Sequence, residues 1–374
     1  MILKRDVRKK LSNMRFWFLG GVNVVQYLPW SKQTLNSCIE ASNAGRIPII
    51  DLELTAKCSA AACVYCDSMP EVCSNPKDDE LALDITLDML HQTKEKGLKW
   101  IYTCGLGEPL EDKRFLAILD FIKDNNISLS MFTNGQFIKN IDIAKRLKES
   151  NVNLILKMDT FDEDKFDYIL GGVGRAQKVY DAIDFLLEAG YTNVGQVGYT
   201  DLAFSIVPTT ISKGTIPKVV DFCLHHNIFP SVGELEKAGN VVNNNLFESL
   251  GLSEDCLNSV RNKTELAKIN YMRPICPAIL TGIHIDNKGN CVVDEVTGLN
   301  CKWFLLVDPH TKLLGNIKDA TITELYSKVK EYRNVCWENN IDIIDEYENI
   351  NYVFGGCGGN PSEIIRIYKE MSGF

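Results

Sequence analysis

From about residue 49 the sequence alternates short apolar runs with longer stretches of helical periodicity, and this alternation limits the fold more than any other feature. A repeated strand and helix order is typical of a parallel sheet covered by helices. We predict six strands, at 49–54, 100–103, 129–132, 154–158, 203–207 and a short run ending near 232–233. Helices are predicted between them, at 84–97, 115–125, 141–150, 175–189 and 217–226. The pattern indicates an α/β protein.

Three cysteines lie on one short loop directly after the first predicted strand, in the run Cys58-Ser-Ala-Ala-Ala-Cys63-Val-Tyr-Cys66. Loops at the carboxyl ends of parallel strands form the sites of α/β proteins, so this loop is placed where chemistry is expected. A ferredoxin-type iron–sulfur cluster takes four thiolates, and three would leave one iron open. Cys73 is the nearest candidate for a fourth ligand. A structural zinc ion and a packed, reduced trio are the alternatives for the loop.

The composition is that of an acidic globular protein. The chain has 374 residues, 45% hydrophobic content and a formal net charge of −9, which suits a large domain with a smaller one. The acidic balance argues against nucleic acid, because phosphate contacts need clustered Lys and Arg, although a structured RNA substrate stays open. The 13 cysteines are unevenly spaced, which favours metal or cluster ligation over a disulfide framework in a chain of this length.

The first residues have the order of a signal peptide, basic up to Arg15 and apolar from Phe16. Asn23 and Gln26 interrupt the apolar part and no small-residue cleavage site follows, so we reject this interpretation. No segment approaches the roughly 20 apolar residues of a membrane span. We therefore expect a cytoplasmic protein with no membrane partner.

Four motifs in order along the chain, each at a predicted strand end, carry a resemblance to a known family. They are the cysteine loop with Tyr65 before its last cysteine, Gly105-Leu106-Gly107-Glu108-Pro109, Phe132-Thr133-Asn134-Gly135 and Lys157-Met158-Asp159-Thr160. Together they resemble the radical S-adenosylmethionine (SAM) superfamily, and the resemblance covers most of the chain. One departure is the spacing of the first two cysteines, which has four intervening residues where the family usually has three.

The resemblance implies a partial (β/α)6 TIM-like barrel and a cofactor set. Family members hold a [4Fe-4S] cluster on three cysteines and bind SAM at its open iron. Reductive cleavage of SAM then gives a 5′-deoxyadenosyl radical that takes hydrogen from the substrate. Carried onto this sequence, the cluster ligands are Cys58, Cys63 and Cys66. The implied SAM contacts are Tyr65, Gly105, Gly107, Glu108, Pro109, Asn134, Lys157 and Asp159.

The last third of the chain resembles the auxiliary-cluster extension called SPASM, or its shortened relative called twitch. The matching pieces are 273–277 around Cys276, a predicted hairpin turn at 287–289, 314–317, 333–336 and 355–359 around Cys357. Asp294 and Asn339 stand where a full SPASM domain has further cysteines. The resemblance implies one auxiliary [4Fe-4S] cluster on Cys276, Cys336 and Cys357, with Cys291 or Cys301 as the fourth ligand. A tetrahedral zinc site on the same residues is the alternative.

We divide the chain into an N-terminal extension at 1–47, a radical SAM barrel at 48–240 and an auxiliary-cluster domain at 241–374. Among the remaining cysteines, Cys104 next to Gly105 is our first candidate for a hydrogen donor that quenches a substrate radical, and Cys223 or a spare C-terminal thiol are the others. The structural interpretation, since buried free cysteine is common, applies to Cys38, Cys73 and Cys256, and it is also the alternative for Cys104 and Cys223. His225, His226 and His284 are interpreted as helix-surface and sheet residues.

This combination predicts a radical SAM oxidoreductase or maturase that oxidises, epimerises or cross-links a peptide or natural-product precursor. A reducing partner such as flavodoxin or ferredoxin would supply the electron. The stretch before the barrel is short for a leader-peptide-binding domain, so a peptide substrate would need a separate carrier protein or another docking surface. The alternatives are a radical SAM enzyme for a cofactor precursor or RNA, and a non-catalytic iron–sulfur or zinc protein.

Overall fold

The computed structural model describes residues 35–59, 63–66, 80–192, 200–233, 235–253, 278, 281–295, 298–300 and 311–339. The helices and strands of these residues are, in chain order, α1 (Leu35–Asn43), β1 (Ile49–Leu52), α2 (Leu83–Glu95), β2 (Trp100–Thr103), α3 (Phe115–Asp124), β3 (Ser128–Thr133), α4 (Ile141–Glu149), β4 (Val152–Lys157), α5 (Glu163–Leu170), α6 (Arg175–Glu188), β5 (Leu202–Ile206), α7 (Ile216–His225), β6 (Phe229–Val232), α8 (Gly239–Asn243), α9 (Phe247–Leu250), β7 (Ile283–Ile285), β8 (Asn290–Asp294), β9 (Thr311–Asn316) and α10 (Ile322–Asn339). A 3-10 turn at Pro109–Glu111 follows β2.

Seven strands form one sheet in the order β6-β5-β4-β3-β2-β1-β7, and every neighbouring pair is parallel. The six strands predicted from the sequence are β1 to β6 of this sheet, and the five predicted helices are α2, α3, α4, α6 and α7. The predicted α/β class is therefore confirmed. Among the described helices, none combines the length and the apolar character that crossing a membrane requires.

The seventh strand was not predicted as part of this sheet. β7 pairs with β1 and places His284 opposite Asp51. The predicted turn is present, since the Gly289 N–H donates to the Asp286 carbonyl at 3.0 Å and Gly289 adopts a φ of +90°. The strands on its two sides, however, enter different sheets, because β8 pairs antiparallel with β9. A segment beyond residue 240 thus completes one edge of the parallel sheet.

The two faces of the parallel sheet differ in polarity. On β1, Ile50 and Leu52 belong to the hydrophobic core under the helices, and the alternation of side chains along a strand turns Asp51 to the other face. β4 repeats the pattern, with Leu154 and Leu156 in the same core. The inner face carries polar side chains beside apolar ones such as Trp100 and Ile155. Its polar side chains are Asp51, Tyr102, Ser130, Asn153, Lys157, Ser205, Ser231 and His284.

Helix α5 is absent from the sequence prediction, although its ends carry clear signals. Asp162 precedes the helix and its carboxylate accepts the Lys165 N–H at 3.3 Å, as a capping residue does. Gly171 ends it with a φ of +71°, the left-handed conformation that glycine favours at helix ends. These two residues would have located the helix that packs behind the cysteine loop.

Candidate functional site

The four sequence motifs lie at the carboxyl ends of β1 to β4, as predicted. The cysteine loop follows β1, the Gly105 segment follows β2, Asn134 follows β3, and Lys157 ends β4. Because these four strands are parallel neighbours, their carboxyl ends share one edge of the sheet. The structure therefore brings the four motifs together.

Glu108 connects three of these strand ends. Its carboxylate accepts hydrogen bonds from the Thr133 hydroxyl at 2.7 Å, the Asn134 N–H at 2.7 Å and the Leu110 N–H at 3.2 Å. Its own N–H donates to the Lys57 carbonyl at 2.8 Å, next to the first cysteine. Burial raises the pKa of Glu108 to about 7, and the three hydrogen bonds oppose that rise. Glu108 thus positions the loops after β1 and β3.

The two glycines of the same motif have different neighbours. A Cβ on Gly107 would lie 2.4 Å from the Lys57 carbonyl oxygen and 2.5 Å from that of Thr55. A Cβ on Gly105 would lie 3.3 Å from Cγ of Glu53, a side-chain atom that can move. Pro109 is buried and begins the 3-10 turn. Gly107 is therefore the residue that lets the β2 loop pack directly on the backbone before Cys58.

Asn134 lies against the first cysteine of the loop. Its side-chain nitrogen is 4.0 Å from Sγ of Cys58, and its side-chain oxygen accepts the Gln136 N–H at 2.9 Å. The position of Asn134 is fixed from the other side by the bond from its N–H to Glu108. Asn134 can therefore influence both the first thiol and any molecule bound beside it.

Tyr65, Lys157 and Asp159 form one connected group between the cysteine loop and β4. Lys157 Nζ lies 2.9 Å from the Tyr65 hydroxyl oxygen, 4.1 Å from the Tyr65 ring centroid and 3.1 Å from Asp159 Oδ2. Asp159 is fully buried and accepts the Val207 N–H at 2.7 Å. Burial, followed by the Asp159 charge, raises the pKa of Tyr65, which stays protonated. In this arrangement Lys157 and Asp159 hold the loop as well as lining the strand end.

Several residues that support the cysteine loop have no motif in the sequence. Glu111 accepts hydrogen bonds from the N–H and the hydroxyl of Ser59 at 2.6 Å and 2.8 Å. Arg175 donates to the Ser59 carbonyl at 3.3 Å. Glu80 accepts from the Thr55 hydroxyl at 2.7 Å. Their distance along the chain from the cysteines explains why no spacing rule finds them.

A second polar group lies on the inner face of the sheet. His284 Nδ1 is 3.2 Å from Asp51 Oδ2, and its Nε2 is 3.7 Å from Glu53 Oε1. All three residues are buried. His284 is a sheet residue, as predicted. It also lies between two carboxylates, that of Asp51 on β1 and that of Glu53, the residue directly after β1. The sequence signal that could have marked them is the interruption of an apolar run by Asp51 and Glu53.

Cys104 follows β2 directly and is half-buried. Its assignment as hydrogen donor stays a prediction. Cys38 on α1 and Cys223 on α7 are buried. Burial raises the pKa of both thiols, that of Cys38 to about 11. Cys73 and Cys256 lie outside the described residues.

Three thiols on one loop are a donor set that an iron–sulfur cluster can use. A zinc site needs its ligands around one point, whereas each thiolate of a four-iron cluster binds a different iron. Cys58 and Cys66 are half-buried and Cys63 is buried, on a loop fixed from several sides. The chemistry of the donor set therefore suits a cluster held on these three thiolates, and their assignment as its ligands stays a prediction.

The two described cysteines of the C-terminal part lie in different environments. Cys291 on β8 is fully buried in the hydrophobic core, and burial raises its pKa to about 12. Cys336 on α10 has its Sγ 3.7 Å from the Glu295 carbonyl oxygen, and burial raises its pKa too. Cys276, Cys301 and Cys357 lie outside the described residues, so the auxiliary cluster stays a prediction.

Comparison with known proteins identifies a family domain that contains the residues of this site. Residues 52–202 match the family described as the radical SAM superfamily. A probable GTP 3′,8-cyclase of Methanocella arvoryzae is 30% identical over 150 residues, which are 40% of this chain and 46% of that protein. The tungsten-containing aldehyde ferredoxin oxidoreductase cofactor-modifying protein of Pyrococcus furiosus is 26% identical over 180 residues, 46% of this chain and 47% of that protein. The chain spans about half the length of these relatives.

Solved structures with a similar fold extend the comparison beyond this domain. Streptococcus suis SuiB bound to S-adenosylmethionine has a TM-score of 0.52 and 18% identity, covering 78% of this chain and 68% of SuiB. SuiB bound to its precursor peptide SuiA has a TM-score of 0.51 and 16% identity, covering 90% and 78%. At this identity the similarity concerns the fold, and it supports the partial barrel architecture.

Proposed function

We propose, from the match of residues 52–202 to the radical SAM superfamily, that the chain is a radical SAM oxidoreductase or maturase. Cys58, Cys63 and Cys66 would hold a [4Fe-4S] cluster, and SAM would bind beside it. When bound, these groups supply a 5′-deoxyadenosyl radical that takes a hydrogen atom from the substrate, while the protein positions the reactants and excludes water.

The observation that carries the proposal is the convergence of four motifs on one edge of the sheet. Glu108 ties the β2 loop to Lys57 and to Asn134, and Asn134 lies next to Cys58. The thiols, the glycine loop and the polar side chains would therefore surround a ligand bound at the open iron. The contact of this ligand with the backbone would be shaped by Gly105, Gly107 and Pro109. The β4 side of the site would be lined by Tyr65, Lys157 and Asp159.

We propose that the substrate is a peptide or a natural-product precursor, which the enzyme oxidises, epimerises or cross-links. Ser205 and Ser231 on the inner face of the sheet are half-buried, and such side chains support a substrate that carries hydrogen-bonding groups. SuiB, which shares the fold, has been solved with a precursor peptide. Residues 48–240 would form the barrel and 241–374 an auxiliary domain with one further [4Fe-4S] cluster, although β7 of the latter segment joins the barrel sheet. The electron would come from a flavodoxin or ferredoxin in the cytoplasm.

A second candidate is a radical SAM enzyme that acts on a cofactor precursor. It is favoured by the 30% identity to a probable GTP 3′,8-cyclase. Both candidates predict SAM cleavage, so only substrate dependence separates them. Addition of GTP to the reduced enzyme with SAM should yield a new nucleotide product only if this second candidate is correct.

The test is replacement of Cys58, Cys63 and Cys66 by alanine together. After anaerobic reconstitution, the variant should lose about four irons per chain, the content of one cluster, and keep the iron of the auxiliary site. Reduction with dithionite in the presence of SAM should release 5′-deoxyadenosine from the wild type and none from the variant. Iron, sulfide and nucleoside are measured on the same samples.

A matched control is Cys38→Ala, which changes a buried thiol on α1 outside the loop. It should keep both the iron content and the cleavage of SAM. Cleavage by the triple variant would contradict the proposal. Wild-type protein that binds iron but releases no 5′-deoxyadenosine would indicate a non-catalytic iron–sulfur protein.

A further inference from the structure

We propose that Asn240 is a positioning residue that clamps the turn between Cys63 and Cys66, and that it controls the retention and the reduction potential of the cluster on this loop. The inference rests on the proposed function, since it needs that cluster. Asn240 belongs to none of the motifs and lies 177 positions from Cys63 along the chain.

The clamp consists of two hydrogen bonds from one residue. The Asn240 side-chain amide donates to the Cys63 carbonyl at 2.7 Å, and the Asn240 backbone N–H donates to the Cys66 carbonyl at 2.8 Å. The turn itself is closed by the Cys66 N–H, which donates to the Cys63 carbonyl at 3.2 Å. Asn240 therefore fixes the backbone at both cysteines, and with it the separation at which the two thiols leave the chain.

Asn240 is itself held in place by the core. It lies on α8, whose Val241 is buried in the hydrophobic core. The side-chain amide of Asn244, one turn later, donates to the Asn240 carbonyl at 3.0 Å. Gly239 begins the helix with a φ of +51°, a conformation that glycine tolerates better than other residues. Because α8 is anchored in this way, the clamp transmits the rigidity of the barrel to the loop.

The remaining anchors act on other parts of the loop. Glu111 and Arg175 hold Ser59, after the first cysteine. The Val64 N–H donates to the Ile169 carbonyl at 3.0 Å, and Lys157 holds Tyr65. These contacts fix the middle of the Cys63 to Cys66 turn from the α5 and β4 side, while Asn240 holds its two ends. Loss of Asn240 would thus leave the turn attached but free to change the distance between its thiols.

Two physical consequences follow for the cluster. Iron is retained when the thiolates are held at cluster geometry, so a looser turn should lose iron faster. The potential of an iron–sulfur cluster depends on nearby charge, hydrogen bonds and solvent exposure. A carboxylate at position 240 would oppose the added electron, and the reduced state would become harder to reach.

The experiment compares Asn240→Ala, Asn240→Asp and the control Asn243→Ala, in the full chain reconstituted anaerobically. Asn243 is exposed and lies on the same short helix. Iron release to a chelator, the potential from a redox titration followed by electron paramagnetic resonance, and the thermal unfolding midpoint are measured. We expect iron release about 2- to 10-fold faster in Asn240→Ala, the factor that one neutral hydrogen bond supplies. Asn240→Asp should add a shift of the potential to more negative values, and Asn243→Ala should match the wild type.

Asn240→Asp has nearly the same shape as the wild-type side chain, so its potential carries the test if the alanine variant unfolds at a lower temperature. Iron release and potential in both Asn240 variants equal to those of the wild type would overturn the inference and leave the proposed function intact. Wild-type protein that takes up no cluster on the loop would overturn both. Equal changes in Asn243→Ala would also overturn it, because the effect would then belong to the helix as a whole.

Discussion

The cysteine loop of the barrel and the cysteines of the C-terminal part are placed in different ways. Cys58, Cys63 and Cys66 leave one loop at a strand end, and their loop is held by side chains from several elements. Cys291 and Cys336 leave a strand and a helix, the first buried in the core and the second beside the Glu295 carbonyl. The three other C-terminal candidates are outside the described residues.

The difference teaches which ligand sets a sequence can specify locally. When ligands share a loop, the strand that precedes it and the parallel neighbours of that strand decide where the thiols go. When ligands are distributed over a strand, a helix and distant segments, their meeting depends on packing between elements. The ligands on the cysteine loop can therefore be tested by single substitutions in that loop. For the C-terminal cysteines, the test is which thiols pack in the hydrophobic core and which bind metal.

The largest effect is expected for Gly107→Ala. The new Cβ would meet the backbone oxygens of Lys57 and Thr55, so the segment that leads to Cys58 must move. Displacement of a positioned group by about 1 Å costs on the order of 100-fold in rate, and we expect at least that loss in 5′-deoxyadenosine formation. Gly214→Ala is the matched control, because nothing lies within 4 Å of the Cβ it would add. Equal losses in the two variants would show that the close approach at Gly107 is not what matters.

The next effect concerns Asp51→Ala, which tests whether β7 belongs to the barrel. Asp51 faces His284 across the β1 and β7 pair, and both are buried. Removing one partner of a buried pair should lower the free energy of unfolding by about 3 kcal/mol. Asp120→Ala breaks the exposed pair of Asp120 with Arg146 and should cost less than about 1 kcal/mol. Urea titrations of both variants provide the comparison, and a cost for Asp51→Ala as small as that for Asp120→Ala would separate β7 from the barrel.

A smaller effect is expected from the ionisation of Glu108. Burial raises its pKa from 4.5 to about 7 in the folded protein, so the folded state binds the proton more tightly than the unfolded state. The resulting stabilisation is complete below pH 4.5 and is lost as the pH rises through 7. Between pH 5.5 and pH 8 the wild type should lose about 2 kcal/mol from this group.

Glu108→Gln removes this titration and should show a correspondingly weaker loss of stability over the same pH range. Urea unfolding of the cluster-free wild type and variant at the two pH values measures the difference. Parallel pH dependences in the two proteins would mean that Glu108 ionises at its ordinary pKa despite its burial.

The smallest effect is expected for Cys291→Ala. Cys291 lies in the hydrophobic core, and we expect its loss to cost about 1 kcal/mol, as a small core truncation does, without change in iron content. Cys336→Ala, in contrast, should lose the iron of the auxiliary site while the loop cluster stays. Iron lost from both variants would make Cys291 a ligand, and iron kept by both would remove the auxiliary cluster from the proposal.

The sequence determined the parts of this protein that depend on neighbours along the chain. The apolar alternation located β1 to β6, and the motifs after β1 to β4 located the site, because side-chain period and strand-end position are local properties. The cysteine spacing likewise specified three thiols on one loop.

Tertiary structure alone decided how these parts are connected. It placed β7 beside β1, joined His284 to Asp51, directed the Glu108 carboxylate to Thr133 and Asn134, and brought Asn240 to the cysteine loop. Each of these contacts joins residues far apart in sequence, or is selected by burial rather than by spacing. Short-range periodicity contains no information on such pairings, because they are set by the packing of whole elements against one another.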